Sequence, residues 1–432
     1  MKGWKRIALW TLRLLIGGAF VVSGFAKLVD LWGFVFKLEE YLAVWGMTQP
    51  RTIVAVGALL LSGYEFVLGL LLAMGCYKRS ASIGLTLLML VMLPLTAWLW
   101  VANPISDCGC FGDLIVLSNG ATFLKNIILT AGLITLVVCN FRLKEAMFNP
   151  VIQWIVGAWI SLYAIIIGLY GYHVQPMIDF RPFPVGTSLL PDSDGDSDDN
   201  YRFVYERDGQ RQEFDINNLP DSTWTFVDRT ELPGRNAGGE HLAIFEGDSD
   251  VSDEVISSEG KEILLVIPEP IRADISYSYT INEISEYADS LGVSMIGLLS
   301  ADEQGIERWR DVSMAEYPCY TVDDTQLKEL ARGTMAIVML NDGVITSKTT
   351  INSINLPEVE SPSSPERFFD ELSGNVNFHF KWLNIVFGVG LLLLYLCQGI
   401  IIAIRLQFKQ KRASKRAKNA TEPQPDAPQT AE

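Results

Sequence analysis

Two cysteines one residue apart, Cys108 and Cys110, lie in Asp107-Cys-Gly-Cys-Phe-Gly-Asp113, a short loop between two long apolar segments. A disulfide between them closes a small, strained ring, and strained exposed disulfides sit at the oxidising, exchangeable end of the potential scale. Gly109 and Gly112 allow the tight backbone such a loop needs. Three chemistries fit the pair: an exchangeable dithiol/disulfide, a static loop disulfide or two packed thiols, and a soft-metal site completed by Asp107 or Asp113. Thiolates attract copper and zinc, but no histidine lies close in sequence, and no metal is expected.

The elements that must hold this loop are set by a segregation of apolar and acidic residues. Hydrophobic residues make up 49% of 432, yet the formal net charge is −16, with a mean hydropathy of +0.23. Apolar runs of roughly 20 residues, enough to cross about 30 Å of hydrocarbon, occur at 7–26, 53–74, 80–102, 122–139, 151–172 and 382–404. Positive flanks stay on the cytoplasmic side. Lys2, Lys5 and Arg6, Lys78 and Arg79, Arg142 and Lys144, and the cluster from Lys409 to Lys418 all fall on one side of six spans. The pattern predicts a multi-pass protein of a bacterial inner (plasma) membrane with both termini cytoplasmic, the C-x-C loop and 173–380 outside, and an uncleaved first span.

On that topology Cys76 and Cys139 lie at the inner face and Cys397 within the last span, as reduced packing residues. Cys319 is the third cysteine outside. It reads most simply as a buried small hydrophobe, and otherwise as a thiol partner of the C-x-C pair. The partners expected are the lipid bilayer and a periplasmic thiol protein or small thiol substrate, and no nucleic acid.

Arg13, Gly17, Phe20, Ser23, Gly24 and Lys27 form R-x3-G-x2-F-x2-S-G-x2-K, followed by Glu65 and Gly69 in the second span. DCGCFGD, Phe123, Lys125 and Asn126 come after. Over spans one to four, about a third of the chain, this resembles the DoxX and MauE group of four-helix membrane proteins. The resemblance implies quinone-linked thiol or thiosulfate oxidation on the DoxX side, with a membrane quinone as cofactor. On the MauE side it implies maturation of a disulfide-rich periplasmic dehydrogenase subunit.

The residues themselves add an electrostatic reading. Arg13 lies about 9 Å and Glu65 about 13 Å from the inner ends of their spans at 1.5 Å per residue, which predicts a buried Arg13–Glu65 pair beneath a quinone-sized cavity. The alternative is that Arg13 snorkels to headgroups and a neighbouring helix satisfies Glu65. Lys27 and Lys125 fall near the outer ends of their spans, where an ammonium lowers a thiol pKa or anchors to headgroups.

Outside, the PDSDGDSDDN stretch at 191–200 lacks calcium-loop spacing, with Gly195 fourth and Phe203 twelfth, and reads as an acidic linker. A hairpin follows, 201–206 with 211–216 about Asp208-Gly209. Strands are predicted at 262–267, 294–299, 319–322, 335–340 and 344–350, with helices at 281–291, 302–315 and 325–331. This βαβαβαββ order resembles a thioredoxin-like domain without its C-x-x-C, since Pro268-Glu269-Pro270 follows the first strand and Met335 stands where that family carries a cis-proline.

The fold class predicted is therefore a mainly α membrane protein: a DoxX/MauE-like four-helix bundle (1–149), a fifth span (150–172), a linker and hairpin region (173–260), an α/β thioredoxin-like extracytoplasmic domain (261–350), a linker (351–381), a sixth span (382–405) and a basic, then disordered, cytoplasmic tail (406–432). The leading function is thiol–disulfide exchange passing electrons from an external thiol through Cys108 and Cys110 to a quinone. Its rival is a non-enzymatic scaffold or maturation factor that docks a periplasmic partner.

Overall fold

The computed structural model describes residues 3–105, 107–139, 147–190, 201–207, 210–214, 224–231, 242–374 and 376–421. The predicted acidic linker at 191–200 and the tail beyond Thr421 lie outside them. The chain forms two compact units: residues 1–28, 38–168 and 380–432, and residues 29–37 with 169–379.

The first unit is helical: α1 (Gly3–Val29), α2 (Leu31–Val44), α3 (Arg51–Met74), α4 (Lys78–Ala102), a short β1 (Cys110–Asp113), α5 (Asn119–Cys139) and α6 (Gln153–His173). Six helices of the described chain are long and apolar enough to cross a membrane, each overlapping a predicted run. Leu31–Val44 was not expected. At 14 residues it is too short to span and carries Lys37, Glu39 and Glu40; Arg51 pairs with Glu39 at 3.0 Å.

Small residues bring α1 and α3 together. A methyl at Gly24 would stand 2.5 Å from the Phe66 nitrogen and 2.8 Å from the Ser62 oxygen, and one at Gly17 2.8 Å from the Gly69 oxygen. Backbones this close leave no room for a Cβ, the small-residue packing that lets membrane helices interlock. The same contacts fix the register: seven residues forward on α1, from Gly17 to Gly24, correspond to seven back on α3, from Gly69 to Ser62. The helices are antiparallel, and Glu65 falls beside Ser23. Gly75, with φ +71°, ends α3 in a left-handed cap whose N–H reaches back to Leu71 and Leu72.

In the second unit, β2 (Tyr201–Arg207), β3 (Gln210–Phe214) and β4 (Thr225–Glu231) make a three-stranded sheet in the order β3-β2-β4. The predicted hairpin is β2 with β3; β4 was missed. Next come β5 (Ile244–Glu246), β6 (Ser249–Asp250), α7 (Ser252–Val255), β7 (Lys261–Ile267), α8 (Ser278–Ser290), β8 (Ser294–Leu299), α9 (Glu303–Ser313), β9 (Cys319–Val322), α10 (Asp324–Leu330), β10 (Ala336–Asn341) and β11 (Val344–Thr350). They form a seven-stranded sheet in the order β11-β10-β7-β8-β9-β5-β6. β7, β8 and β9 are parallel, and β10 is antiparallel to both β7 and β11. β7 is buried on both faces from Glu262 to Ile267, as a central parallel strand between two helical layers must be.

The predicted linker at 351–381 is corrected. It contains α11 (Leu356–Glu360) and α12 (Pro365–Ser373), before α13 (Val376–Thr421). Its Ser and Pro residues are helix starts: Ser364 accepts from the Arg367 N–H, and Pro365 and Pro357 stand in the first turns of their helices. Val359, Phe368 and Leu372 are buried with Ile263, Leu265 and Ile337 in one core. Phe368 is 0% exposed, so Phe368→Ala is expected to destabilise the α/β unit by about 3–5 kcal/mol, read as a lowered denaturation midpoint of the full chain in detergent. A linker phenylalanine would leave the midpoint unchanged.

Candidate functional site

The site is built where the loop after α4 folds back over α1, α2 and α3. Asn119, at the start of α5, donates to the Asn103 side chain at 2.9 Å and to the Ile105 carbonyl at 2.8 Å, closing the base of the loop. Asp107 accepts from the Gly109 N–H at 2.8 Å. Gly109 and Gly112 both take positive φ, +63° and +58°, a conformation costly for other residues. The chain thereby turns tightly enough to set the Cys108 and Cys110 sulfurs 2.8 Å apart.

Both cysteines are gripped through their backbone carbonyls. Tyr41 of α2 donates to the Cys108 carbonyl at 3.1 Å. Ser23 of α1 lies 2.6 Å from the Cys110 carbonyl and 2.8 Å from Glu65 Oε2. Cys108 is buried with Tyr41, Leu99 and Ile105, while Cys110 is half-buried at the edge of that cluster. Glu65 and Lys27 form a buried ion pair, with Lys27 Nζ 2.9 Å and 2.8 Å from the two carboxylate oxygens.

The predicted Arg13–Glu65 pair is therefore corrected: the partner of Glu65 is Lys27. Counting depth from the inner ends ignored the register that the glycines impose. That register puts Glu65 beside Ser23 and carries Arg13 to the level of the α3 C-terminus. Arg13 is buried there with its guanidinium 5.0 Å from the Trp10 ring, about 21 Å along α1 from Lys27 at 1.5 Å per residue.

The electrostatics divide the two thiols. Cys110 is lowered to about 7 by the hydrogen bond from Cys108, with Lys125 and Lys27 adding to it, against burial and Glu65. Cys108 is pushed up by the same hydrogen bond, with the sign reversed, and by burial. Burial, then the nearby Cys108, also keeps the Tyr41 phenol protonated well above its usual range. Lys125 lies 4.3 Å from the Phe111 ring, which orders its ammonium beside the loop. The arrangement favours a thiolate at half-buried Cys110 with a protonated sulfur in contact with it.

Asp113 stands at the exposed end of β1. Among the described residues no three His, Cys, Asp or Glu side chains are placed to hold a metal. Cys319 lies in the core of the second unit, its thiol directed at the Tyr317 carbonyl at 3.6 Å, and burial pushes it up. Cys76 is fully buried, Cys139 half-buried, and Cys397 is exposed on α13 rather than packed. A groove of about 600 Å³ is lined by Tyr77, Lys78, Arg79, Asn149, Gln153 and Gln398. It lies at the opposite end of α4 from the thiols, and 25 helical residues span about 37 Å. Sequence reasoning missed Tyr41, whose one available signal was its place in an amphipathic run just before the second span.

Residues 5–139 match the family described as methylamine utilisation protein MauE, and residues 200–232 match a domain of unknown function. Protein TlpB of Flavobacterium psychrophilum is 29% identical over 123 residues, 28% of this chain and 33% of that protein. The chain thus spans about a third of the length of this curated relative.

Alkylation of Cys110 is expected to rise through pH about 7, since the thiolate reacts and the thiol does not. Lys125→Ala removes a charge that favours the thiolate, so the midpoint moves upward, as peptide-resolved mass spectrometry of the labelled chain would read. Glu65→Gln leaves Lys27 buried without its carboxylate and is expected to cost about 3–5 kcal/mol, seen as a lower melting temperature in detergent.

Proposed function

We propose that this MauE-like membrane protein carries out thiol–disulfide exchange at Cys108 and Cys110, on the side that the positive flanks predict to be extracytoplasmic. The observation that carries the reading is the 2.8 Å contact between the two sulfurs, with the Lys125 and Lys27 ammonium groups favouring a thiolate at Cys110. In the direction that reduces a partner, the Cys110 thiolate attacks one sulfur of the partner disulfide. That bond breaks, and the departing partner thiolate takes up a proton. Cys108 then gives up its proton and attacks Cys110 Sγ, which releases the second partner thiol and leaves the Cys108–Cys110 disulfide. Two electrons pass to the partner, and the reverse sequence oxidises a partner dithiol.

Lys27 and Lys125 support the thiolate, Ser23 and Tyr41 hold the loop backbone, and Glu65 holds Lys27. A membrane quinone as eventual electron acceptor is part of the same proposal, taken from the family resemblance. No step is drawn through it, because the groove beside Lys78 and Gln398 lies far from the thiols and fits no direct transfer. The sheet order β11-β10-β7-β8 supports reading the α/β unit as thioredoxin-like, with Pro268-Glu269-Pro270 in place of a redox dyad. Such a domain has no exchange chemistry of its own, which favours a second, scaffolding reading should the thiols prove inert.

Oxidised glutathione separates the two. Reduced full-length protein is expected to release two glutathione thiols per chain and end with Cys108 joined to Cys110. Cys108→Ser stops after one, as a Cys110 mixed disulfide cleaved by dithiothreitol. A wild-type chain that releases none under conditions where free thiols exchange would leave the scaffold reading standing.

A further inference from the structure

The second unit holds a charged clamp that the exchange chemistry does not use. Asp30, between α1 and α2, accepts from Arg332 through Nε at 3.1 Å and 3.0 Å to its two oxygens and through Nη2 at 2.7 Å, and from the Gly33 N–H at 3.0 Å. Arg332 is itself fixed. Its Nη1 donates to the Lys328 carbonyl at 2.7 Å, its backbone N–H to Gln175 Oε1 at 2.9 Å, and its carbonyl accepts from Gln175 Nε2 at 2.6 Å. A Cβ at Gly33 would stand 2.7 Å from Arg332 Nη2, so glycine is what lets the guanidinium in.

The clamp extends along α2. Trp32 stacks on Tyr172 with ring centroids 4.8 Å apart and donates to the Tyr172 carbonyl at 2.7 Å. Phe36 lies under the Lys328 ammonium at 4.9 Å and the Arg332 guanidinium at 5.7 Å, and Lys328 pairs with Glu269 at 3.5 Å. Glu269 belongs to the loop after β7, where a redox dyad would stand, and Arg332 to the loop before β10. The Arg332 loop is thus engaged directly with the 29–37 segment, and Glu269 reaches that contact through Lys328.

That segment joins two residues of the thiol site. Lys27 precedes Asp30 by three residues on α1, and Tyr41 lies on α2, the same helix that carries Trp32 and Phe36. We propose that the Asp30–Arg332 clamp is a positioning device for the C-x-C site: it fixes the α1–α2 junction and so sets where Lys27 and Tyr41 stand against Cys110 and Cys108. This deepens the exchange reading and rests on it for its purpose, although not for its test. The groups that face Cys110 are Cys108 of its own loop, Lys27 of α1, Glu65 of α3 and Lys125 of α5. Those that face Cys108 are Cys110 of its own loop, Tyr41 of α2 and Lys125 of α5. Of these, Lys27 and Tyr41 are the ones that a loosened junction moves.

The experiment uses the full chain in detergent and follows alkylation of Cys110, Cys108 and Cys319 by peptide mass spectrometry across pH. In Arg332→Ala and Asp30→Asn, Cys110 labelling at pH 6 is expected to fall about threefold, the loss of thiolate that follows when the thiol titrates about half a pH unit higher. Arg332→Lys keeps a charge but loses the fork and falls between. Cys319, buried in the second unit, reports whether that unit stays folded and separates positioning from collapse. An unchanged Cys110 profile in Asp30→Asn overturns the proposal, whether Cys319 stays protected or becomes labelled. A wild-type chain inert to oxidised glutathione whose alkylation still responds to Asp30→Asn would overturn the exchange reading and leave the clamp intact.

Discussion

A lysine and a glutamate buried against each other between two apolar helices are the constraint on which the remaining arrangement depends. A charge at this depth is costly unless paired and hydrogen-bonded, and Lys27 with Glu65 meets that demand only if α1 and α3 approach to backbone contact. Gly17, Gly24 and Gly69 supply the approach, and the approach fixes the register. The register in turn puts Ser23 beside Glu65, within reach of the Cys110 carbonyl. One ion pair thus decides the helix packing and the seat of the C-x-C loop together.

The pair alone would offer Cys110 little, since a lysine neutralised by a carboxylate presents almost no net field. Lys125 breaks the balance. Two ammonium groups and one carboxylate surround the sulfur, leaving one positive charge for the thiolate to answer. Cys108 is set apart by its hydrogen bond to Cys110 and by burial, so the second sulfur keeps its proton. The asymmetry comes first from the bond between the two sulfurs and then from the cations that stand nearer Cys110.

Much of this could be read from residue order. The six long apolar runs carry their length and composition in any window, and β8, β9 and β11 alternate or bury residues as strands must, so their bounds emerged intact. The thiol pair, Lys27, Glu65 and Lys125 could be singled out by type and depth, but not which cation meets Glu65: that depends on helix register, which resides in contacts between segments. Tyr41 stayed hidden because a 14-residue amphipathic helix is neither a span nor part of a sheet. The segment 351–381 was misread because Ser-Pro marks a helix start as readily as a linker, and only the burial of Phe368 decides between them.

An α/β unit whose only described cysteine is buried in its core invites the view that it is a passive appendage, and the physical arrangement argues otherwise. Its Arg332 and Lys328 side chains make charge and aromatic contacts to Asp30 and Phe36, and Glu269 pairs with Lys328. Burial pushes the Asp30 carboxyl up, but Arg332 and Arg181, with hydrogen bonds from Arg332 and Gly33, outweigh it and hold Asp30 below the usual carboxylate range. A depressed folded pKa contributes stability that is fully present above the unfolded value, near 4, and is lost only as pH falls through the lower folded one. Cys110 changes charge near pH 7, far above that window. The clamp is therefore constant across the range in which the thiol titrates, which is what a positioning element needs: the chemistry can switch while the frame that aligns it does not.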